Sequence, residues 1–525
     1  MSRSLRVVAY AINGRGMGHL SRQLAVLRWM RRFAAALDVR LEPWVLTSSE
    51  ADTLARREGV PALKMPSKAM LRDAGVEPHS ALAILRSWVL NAVVGLRPDL
   101  LVVDTFPGGS FGELVPCLEL AKHRALVSRR VRPEYADADP FRSLLPLYDT
   151  VVEPEEGGSP ILLREREELV PRDDARRRLG VPTDHQAIYV SVGGGGDDAA
   201  SSLLPRCVAA LQRTGRHIVV GAGPLYDGPE IRGPGITWLD RYVPLELFAG
   251  LDGAVCAAGY NSFHELMFAG VPSVFLPRPR IADDQQHRAQ GAVDVGAAAL
   301  AEGPDASAEA LQTLLGDWDG GPSKQAAAAR AAAQALVPEN GARDAALQIL
   351  GCVLPADDLA RAERLLAPPV LSLMARAEGR DGLDGPRRVL DLLKLLDGPG
   401  DPLVRLNEWL ALNEAHGAPP ELCVRLLQQL RRKFRGASGD ELLQAWRRLV
   451  PAWAAFDDWM GAVSLMRAVP SQRGLSLAVF VDGLLAWLAH VDELFDAVRD
   501  FSRLEGAGDR PVDEVLALLA AQAQA

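Results

Sequence analysis

Two short apolar runs, each ending in a glycine-rich loop and followed by a helical pattern, constrain this chain most. The first is Arg6–Ile12, which leads into Asn13-Gly14-Arg15-Gly16-Met17-Gly18-His19 and then into a segment with Leu20, Leu24, Leu27, Met30 and Phe33 at spacings of three and four. The second is Ala187–Val192, which leads into Gly193-Gly194-Gly195-Gly196-Asp197-Asp198. An apolar run of strand length without polar alternation is a strand buried on both faces. Helices that alternate with such strands imply parallel sheets. The 525 residues are too many for one core.

Further strands are expected at Leu41–Leu46, with Pro43 suggesting an irregular start, and at 100–103, ending on Asp104. Others are expected at 125–127, His217–Val220, Ile236–Leu239, Gly253–Cys256 and Ser273–Leu276. The pattern divides the chain into an α/β domain at 1–152, a charged and proline-bearing connection at 153–184, and a second α/β domain at 185–354. Beyond 355 strand signals stop. Stretches rich in Leu, Ala, Arg and Trp predict an all-helical domain over 355–525.

Composition narrows the class. Five widely spaced cysteines without a CxxC argue against a disulfide framework or a zinc site, and a reducing cytoplasm is expected. The N-terminal run lacks the longer apolar core and cleavage site of a signal peptide. Ala81–Leu96 and Leu475–Val491 are interrupted by Arg86 and Asp482, and both are expected to be buried helices. The net charge of −9 is uneven: residues 1–150 carry +6, and the remainder −15. A basic first third permits an anionic partner such as a membrane surface, and no nucleic-acid reader motif accompanies it.

Three motifs carry chemistry. In the first, Gly16 and Gly18 allow close approach of backbone to a ligand, and a helix N-terminus follows, suited to an anion. His19 stands in the first turn of that helix, where the dipole favours the neutral imidazole of a general base. Local capping is the structural alternative. In the second, Gly193, Gly194 and Gly195 would let backbone cradle a phosphate; a plain flexible loop is the alternative. The third runs from Ala258-Gly259-Tyr260-Asn261-Ser262-Phe263-His264-Glu265 to Pro277. Asn261 and Ser262 stand where a helix opens, and Glu265 lies one turn on, so a capping box is the structural alternative. The functional reading is an anion at the N-terminus and ribose hydroxyls on the carboxylate. Asp283-Asp284-Gln285-Gln286-His287 then offers polar groups for sugar hydroxyls.

The third motif with Asp284-Gln285-Gln286 resembles the donor signature of GT-B glycosyltransferases related to the bacterial lipid-linked N-acetylglucosaminyltransferase of peptidoglycan synthesis. The resemblance extends over residues 1–350 and includes Gly16-Met17-Gly18-His19-Leu20-Ser21-Arg22 and Asp104-Thr105-Phe106-Pro107-Gly108-Gly109. It implies an α/β fold of two Rossmann-like domains facing a cleft, here followed by the all-α region. It implies transfer of a sugar from a nucleotide-sugar, a UDP-sugar first, with inversion, without metal and with no cofactor. Glu265 would hold the ribose, and Gly259, Asn261 and Ser262 with Gly193–Gly195 the diphosphate. Val243 would present backbone to the base, and Asp284, Gln285 and Gln286 would face the donor sugar. His19 would be the catalytic base, with Asp104 as an alternative base on the acceptor side. The acceptor would be lipid-linked or a small molecule, met in the cytoplasm or at the inner face of the membrane. A nucleotide-sugar epimerase and a non-catalytic scaffold are the competing readings; the intact set of His19, Glu265 and Gln286 argues against the scaffold.

Overall fold

The computed structural model describes residues 3–366 apart from 13–15, 111, 131–138, 156–157, 195–197, 224, 240–241, 279–282 and 319–320, together with positions 371, 374 and 390. The expected all-helical region, including Leu475–Val491, lies almost wholly outside the described residues. Its first helix, Ala356–Leu365, is the part described as an element.

Two parallel six-stranded sheets follow one another. The first contains β1 (Ser4–Ala11), β2 (Arg40–Thr47), β3 (Ala62–Lys64), β4 (Leu100–Asp104), β5 (His123–Val127) and β6 (Thr150–Val152), in the order β3-β2-β1-β4-β5-β6. The second contains β7 (Ala187–Ser191), β8 (His217–Gly221), β9 (Ile236–Leu239), β10 (Gly253–Cys256), β11 (Ser273–Phe275) and β12 (Ala298–Leu300), in the order β12-β11-β10-β7-β8-β9. Read from the opposite edge, the second order repeats the first. The α/β architecture is therefore as expected. Every residue of β4, β7, β8 and β10 is buried, which is why these runs are continuously apolar.

Strand β2 is regular from Arg40, and Pro43 pairs with Val7. Strand β3 covers only Val45–Thr47 of β2, so Pro43 lies where β2 has a neighbour on one side alone. There its missing N–H costs no ladder bond.

Helix α1 (Gly18–Ala36) buries the predicted set Leu20, Leu24, Leu27, Met30 and Phe33 completely. Helices α2 (Thr53–Arg57), α3 (Lys68–Asp73) and α4 (Pro78–Leu96) follow β2 and β3. The expectation of a buried helix at 81–96 is corrected. Only 22% of the apolar stretch His79–Leu96 is buried, although its length and composition would suffice to cross a membrane. Ala81, Leu85, Val89 and Val93 form one buried stripe, and Ile84, Leu90 and Val94 on the other side face solvent. A single packed stripe cannot bury a helix that is apolar around most of its circumference.

Helix α5 (Arg172–Leu179), inside the expected connection, packs against the 3-10 turn Leu245–Gly250. Helices α6 (Asp198–Gln212), α7 (Tyr260–Phe268), α8 (Gln285–Asp294), α9 (Pro304–Leu315) and α10 (Lys324–Leu336) accompany the second sheet. Helix α11 (Ala342–Leu350) then returns to α1 and β6, where Gln348 Nε2 donates to Thr150 Oγ1 (3.1 Å) and Val151 O (3.0 Å). The two crossings are tied together. Asn340 exchanges hydrogen bonds with Leu162 N–H (2.9 Å) and Leu162 O (3.0 Å). Buried ion pairs fasten the outgoing crossing to the first sheet's side, with Arg28 (2.5 Å) and Arg32 (2.6 Å) on Glu168 and Arg164 on Glu58 (2.7 Å).

Candidate active site

In an open parallel sheet, ligands bind beyond the carboxyl ends of the strands where the strand order reverses. The first sheet reverses between β1 and β4. Strand β1 leads to the first glycine loop and the N-terminus of α1, and β4 ends on Asp104. The second reverses between β7 and β10, whose ends lead to Gly193-Gly194 and to Gly259 with α7. These four strand ends meet at one cavity of about 500 Å³, lined from both sheets. Gly18 and Asn261 approach each other across it: a Cβ built on Gly18 would lie 3.5 Å from Asn261 Oδ1.

On the first side, His19 lines the cavity from the opening turn of α1, and its Nδ1 lies 2.5 Å from Asp104 Oδ1. Asp104 is itself gripped: Arg22 donates from Nε to Oδ2 (3.1 Å) and from Nη2 to Oδ1 (2.6 Å), and Thr105 Oγ1 donates to Oδ1 (2.7 Å). Burial alone would push the Asp104 carboxyl up. The charge of Arg22, with the hydrogen bonds from His19 and Arg22, outweighs it and holds the group well below the usual carboxylate range. Burial lowers the pKa of His19 from its ordinary 6.5; Asp104 opposes this, and Arg22 and Arg129 add to it. A neutral imidazole whose Nδ1–H points at a carboxylate carries its lone pair on Nε2, the state a general base requires. Asp104 does not line the cavity and its side chain is fully enclosed. Its placement as an alternative base is therefore corrected, because a carboxylate sealed behind His19 and paired with Arg22 cannot reach a substrate proton.

The second side is made mostly of backbone and small residues. Helix α7 starts at Tyr260 with Gly259 as its N-cap and no side-chain cap. Ser262 is thus inside the first turn and the alternative of a capping box with Glu265 is not formed. Gly259, Asn261, Ser262 and Glu265 all line the cavity. The unpaired N–H groups of such a first turn suit an anion. The Glu265 carboxyl is pushed up to about 7, by burial first and then by Glu246, with Arg164 opposing. Val243 lines the cavity beside Tyr242. Gly193, at φ +95°, and Gly194 do so too, as does Gly16 from the first loop; Gly195 lies outside the described residues.

The stretch after β11 divides. Gln285 lines the cavity, and its Oε1 accepts from Arg278 N–H (3.0 Å). Asp284 is exposed and caps α8 by accepting from His287 N–H (3.1 Å). Gln286 is exposed on α8, and neither it nor Asp284 lines the cavity, which corrects their expected place beside the donor. Successive helical residues point about 100° apart, and here Gln285 is the one turned to the cavity. Asp283 lines the cavity instead, between Arg288 (2.7 Å) and Arg129 (3.4 Å).

Other residues at the site had no sequence signal of their own. Arg129 follows β5 and reaches Asp283 of the second half. Gly223, at φ +92°, lies so close to the second glycine loop that a Cβ would stand 2.5 Å from Gly193 O and 2.8 Å from Gly194 C. Its place after the apolar run 217–221 was the available hint. Among the described residues, no three His, Cys, Asp or Glu side chains come together as a set that could hold a metal ion. Cys117, Cys207, Cys256 and Cys352 are free thiols.

A glycosyltransferase family 28 C-terminal domain matches residues 240–349, the segment that supplies Val243, Gly259, Asn261, Ser262, Glu265 and Gln285 to the cavity. The chain is a relative of the family 28 glycosyltransferases. Curated relatives carry the name UDP-N-acetylglucosamine–N-acetylmuramyl-(pentapeptide) pyrophosphoryl-undecaprenol N-acetylglucosamine transferase. The one from Acetivibrio thermocellus is 30% identical over 161 residues, 28% of this chain and 44% of the relative. The one from Burkholderia thailandensis is 26% identical over 328 residues, 58% of this chain and 86% of the relative. The chain spans about half the length of several other curated relatives it matches. Among solved structures, Acinetobacter baumannii MurG aligns with a TM-score of 0.39 at 19% identity, covering 64% of this chain and 98% of that one. The calicheamicin glycosyltransferase CalG4 aligns with a TM-score of 0.44 at 18% identity, covering 67% and 100%.

Proposed function

We propose that this chain is an inverting glycosyltransferase that moves a sugar from a nucleoside-diphosphate sugar, a UDP-sugar first, to an acceptor hydroxyl. The observation that carries the reading is the shared cavity, in which His19 on Asp104 faces the N-terminus of α7. The acceptor hydroxyl gives its proton to His19 Nε2 as its oxygen attacks the anomeric carbon. Asp104 stabilises the imidazolium that forms. The bond to the diphosphate breaks on the opposite face. The departing charge meets the N–H groups at Gly259–Ser262 and the Gly193-Gly194 backbone, with no metal required. Ionised Glu265 accepts the ribose hydroxyls, and Val243 backs the base. The nucleotide-sugar is a substrate, and no cofactor takes part.

A lipid-linked acceptor fits the exposed apolar side of α4, where Ile84, Leu90 and Val94 face solvent beside the exposed Arg86 and Arg97. Such a face favours peripheral contact with an anionic membrane at its cytoplasmic side. The names of the curated relatives, which specify a pyrophosphoryl-undecaprenol acceptor, support this reading.

The test is incubation with UDP-, GDP- and dTDP-sugars, scoring binding and release of the nucleoside diphosphate with lipid-linked and small acceptors. Binding and release with a UDP-sugar are expected. Absence of binding and turnover across the panel would overturn the reading.

A further inference from the structure

We propose that Arg22 is a positioning residue of the transfer site: with Thr105 it locks the Asp104 carboxylate in the rotamer that takes Nδ1–H of His19 and turns Nε2 to the cavity. The inference rests on the reading of this cavity as the transfer site and assigns a role to a residue that lines the cavity and acts through Asp104.

The geometry around Arg22 is over-determined. Its guanidinium is 1% exposed and forks onto both oxygens of Asp104, with a further contact from Nη2 to Thr105 Oγ1 (3.3 Å). The ring of Tyr260, the first residue of α7, stacks on it with its centroid 4.9 Å from Cζ. Arg22 is thus held between the carboxylate behind His19 and the helix that forms the donor half. A bidentate guanidinium–carboxylate pair fixes both partners in one plane, which a lysine ammonium does not do.

Thr105 supplies the second restraint at the cost of backbone strain. It stands at φ +61°, in the left-handed region that a β-branched residue rarely occupies. Its N–H donates to Val127 O (2.8 Å), and its Oγ1 donates to Asp104 Oδ1 (2.7 Å). Strain of this kind persists where surrounding contacts over-determine it, and here it sits one residue from the carboxylate that orients the base.

Among the described residues, the charged groups acting on His19 include Asp104 from β4, Arg22 from α1 and Arg129 from the segment after β5, with the Phe106 ring centroid 5.7 Å away. Arg22 and Arg129 thus oppose the Asp104 carboxylate. Removing Arg22 leaves Asp104 acting on His19 with less opposition, and removing the Asp104 charge does the reverse.

The test follows the His19 imidazole by NMR titration of the full chain, with the resonance assigned by its loss in His19→Gln. In Arg22→Met the midpoint should rise, about tenfold in the protonation constant. In Asp104→Asn it should fall. In Arg22→Lys the charge remains but the fork is lost, so the midpoint should stay near wild type while kcat falls about tenfold at unchanged donor KM. A midpoint in Arg22→Met that is unchanged or lowered would overturn the proposal. If that variant does not fold, wild-type kcat in Arg22→Lys would overturn it. A wild-type protein that turns over no nucleotide-sugar would instead defeat the transfer reading, and the titration would still report whether Arg22 sets the state of His19.

Discussion

The two sheets share one strand order and differ in what stands where that order reverses. At the first reversal the chain places ionisable side chains in contact: His19, Asp104 and Arg22, with strained Thr105 beside them. At the second it places backbone, with Gly193, Gly194, Gly223 and Gly259 around the open end of α7. A diphosphate needs close N–H groups, which side chains would obstruct. A proton transfer needs one nitrogen in one tautomer, which a hydrogen-bond partner on the other nitrogen fixes, here the Asp104 carboxylate. The same topology thus offers a binding half and a reacting half, and substitutions in the two should damage different kinetic parameters.

The largest effect is expected on the reacting half. His19→Ala should lower kcat by roughly 10²–10⁴-fold and leave donor affinity nearly unchanged, as read by steady-state release of nucleoside diphosphate beside calorimetric donor binding. In the unaltered chain the pKa of His19 is lowered by burial from its ordinary 6.5, so kcat at saturating donor should hold at pH 7 and decline only on more acidic titration, when the imidazole is protonated. A decline beginning above pH 7 would mean that another group is the base.

Gly223→Ala should strike the binding half. The new Cβ meets the Gly193-Gly194 backbone at a left-handed φ, so the loop must move. Donor affinity should fall ~10- to ~100-fold, with kcat at saturation largely kept. Equal damage to kcat would merge the halves that the comparison separates.

Glu265 gives a smaller, signed effect. With its carboxyl pushed up to about 7, donor binding to the ionised form releases a proton. Affinity should therefore be full above pH 7 and weaken as pH falls through 7. Glu265→Gln should cost about tenfold at alkaline pH and little at acidic pH, flattening the profile. A parallel profile in the variant would remove Glu265 from the ribose site. The smallest change is expected from Ile84→Asp on α4: about fivefold weaker co-sedimentation with anionic vesicles, less than full burial of an isoleucine would give, at unchanged turnover of a soluble acceptor. Unchanged co-sedimentation would remove α4 as the docking face.

The alternation of strand and helix was legible because fully buried strands leave unbroken apolar runs such as 100–103 and Ala187–Val192. Of the four three-residue strands among the described residues, Ser273–Phe275 was legible because it is fully buried inside its sheet, whereas Ala62–Lys64, Thr150–Val152 and Ala298–Leu300 stand at sheet edges, are only partly buried and leave no distinct apolar run. At the site, the glycine loops, His19 and the stretch Gly259–Glu265 could be read from their place at strand ends. What could not be read was which way a side chain points. Asp104 ends a strand, as a cleft-facing base would, yet turns behind His19. Gln285 and Gln286 are neighbours in sequence, and one faces the cavity while the other is exposed. Arg129 and Gly223 acquire their meaning only through partners about 150 and 30 residues away, Asp283 and Gly193.

The most direct test of a single cleft with two kinds of half is a crystal structure of the chain with an intact UDP-sugar bound. The account predicts the diphosphate against Gly259–Ser262 and Gly193-Gly194, the ribose on Glu265, and the anomeric carbon facing His19 with room for one hydroxyl between them, ~3–3.5 Å from the attacking oxygen. A nucleotide bound elsewhere, or a sugar turned away from His19, would contradict it.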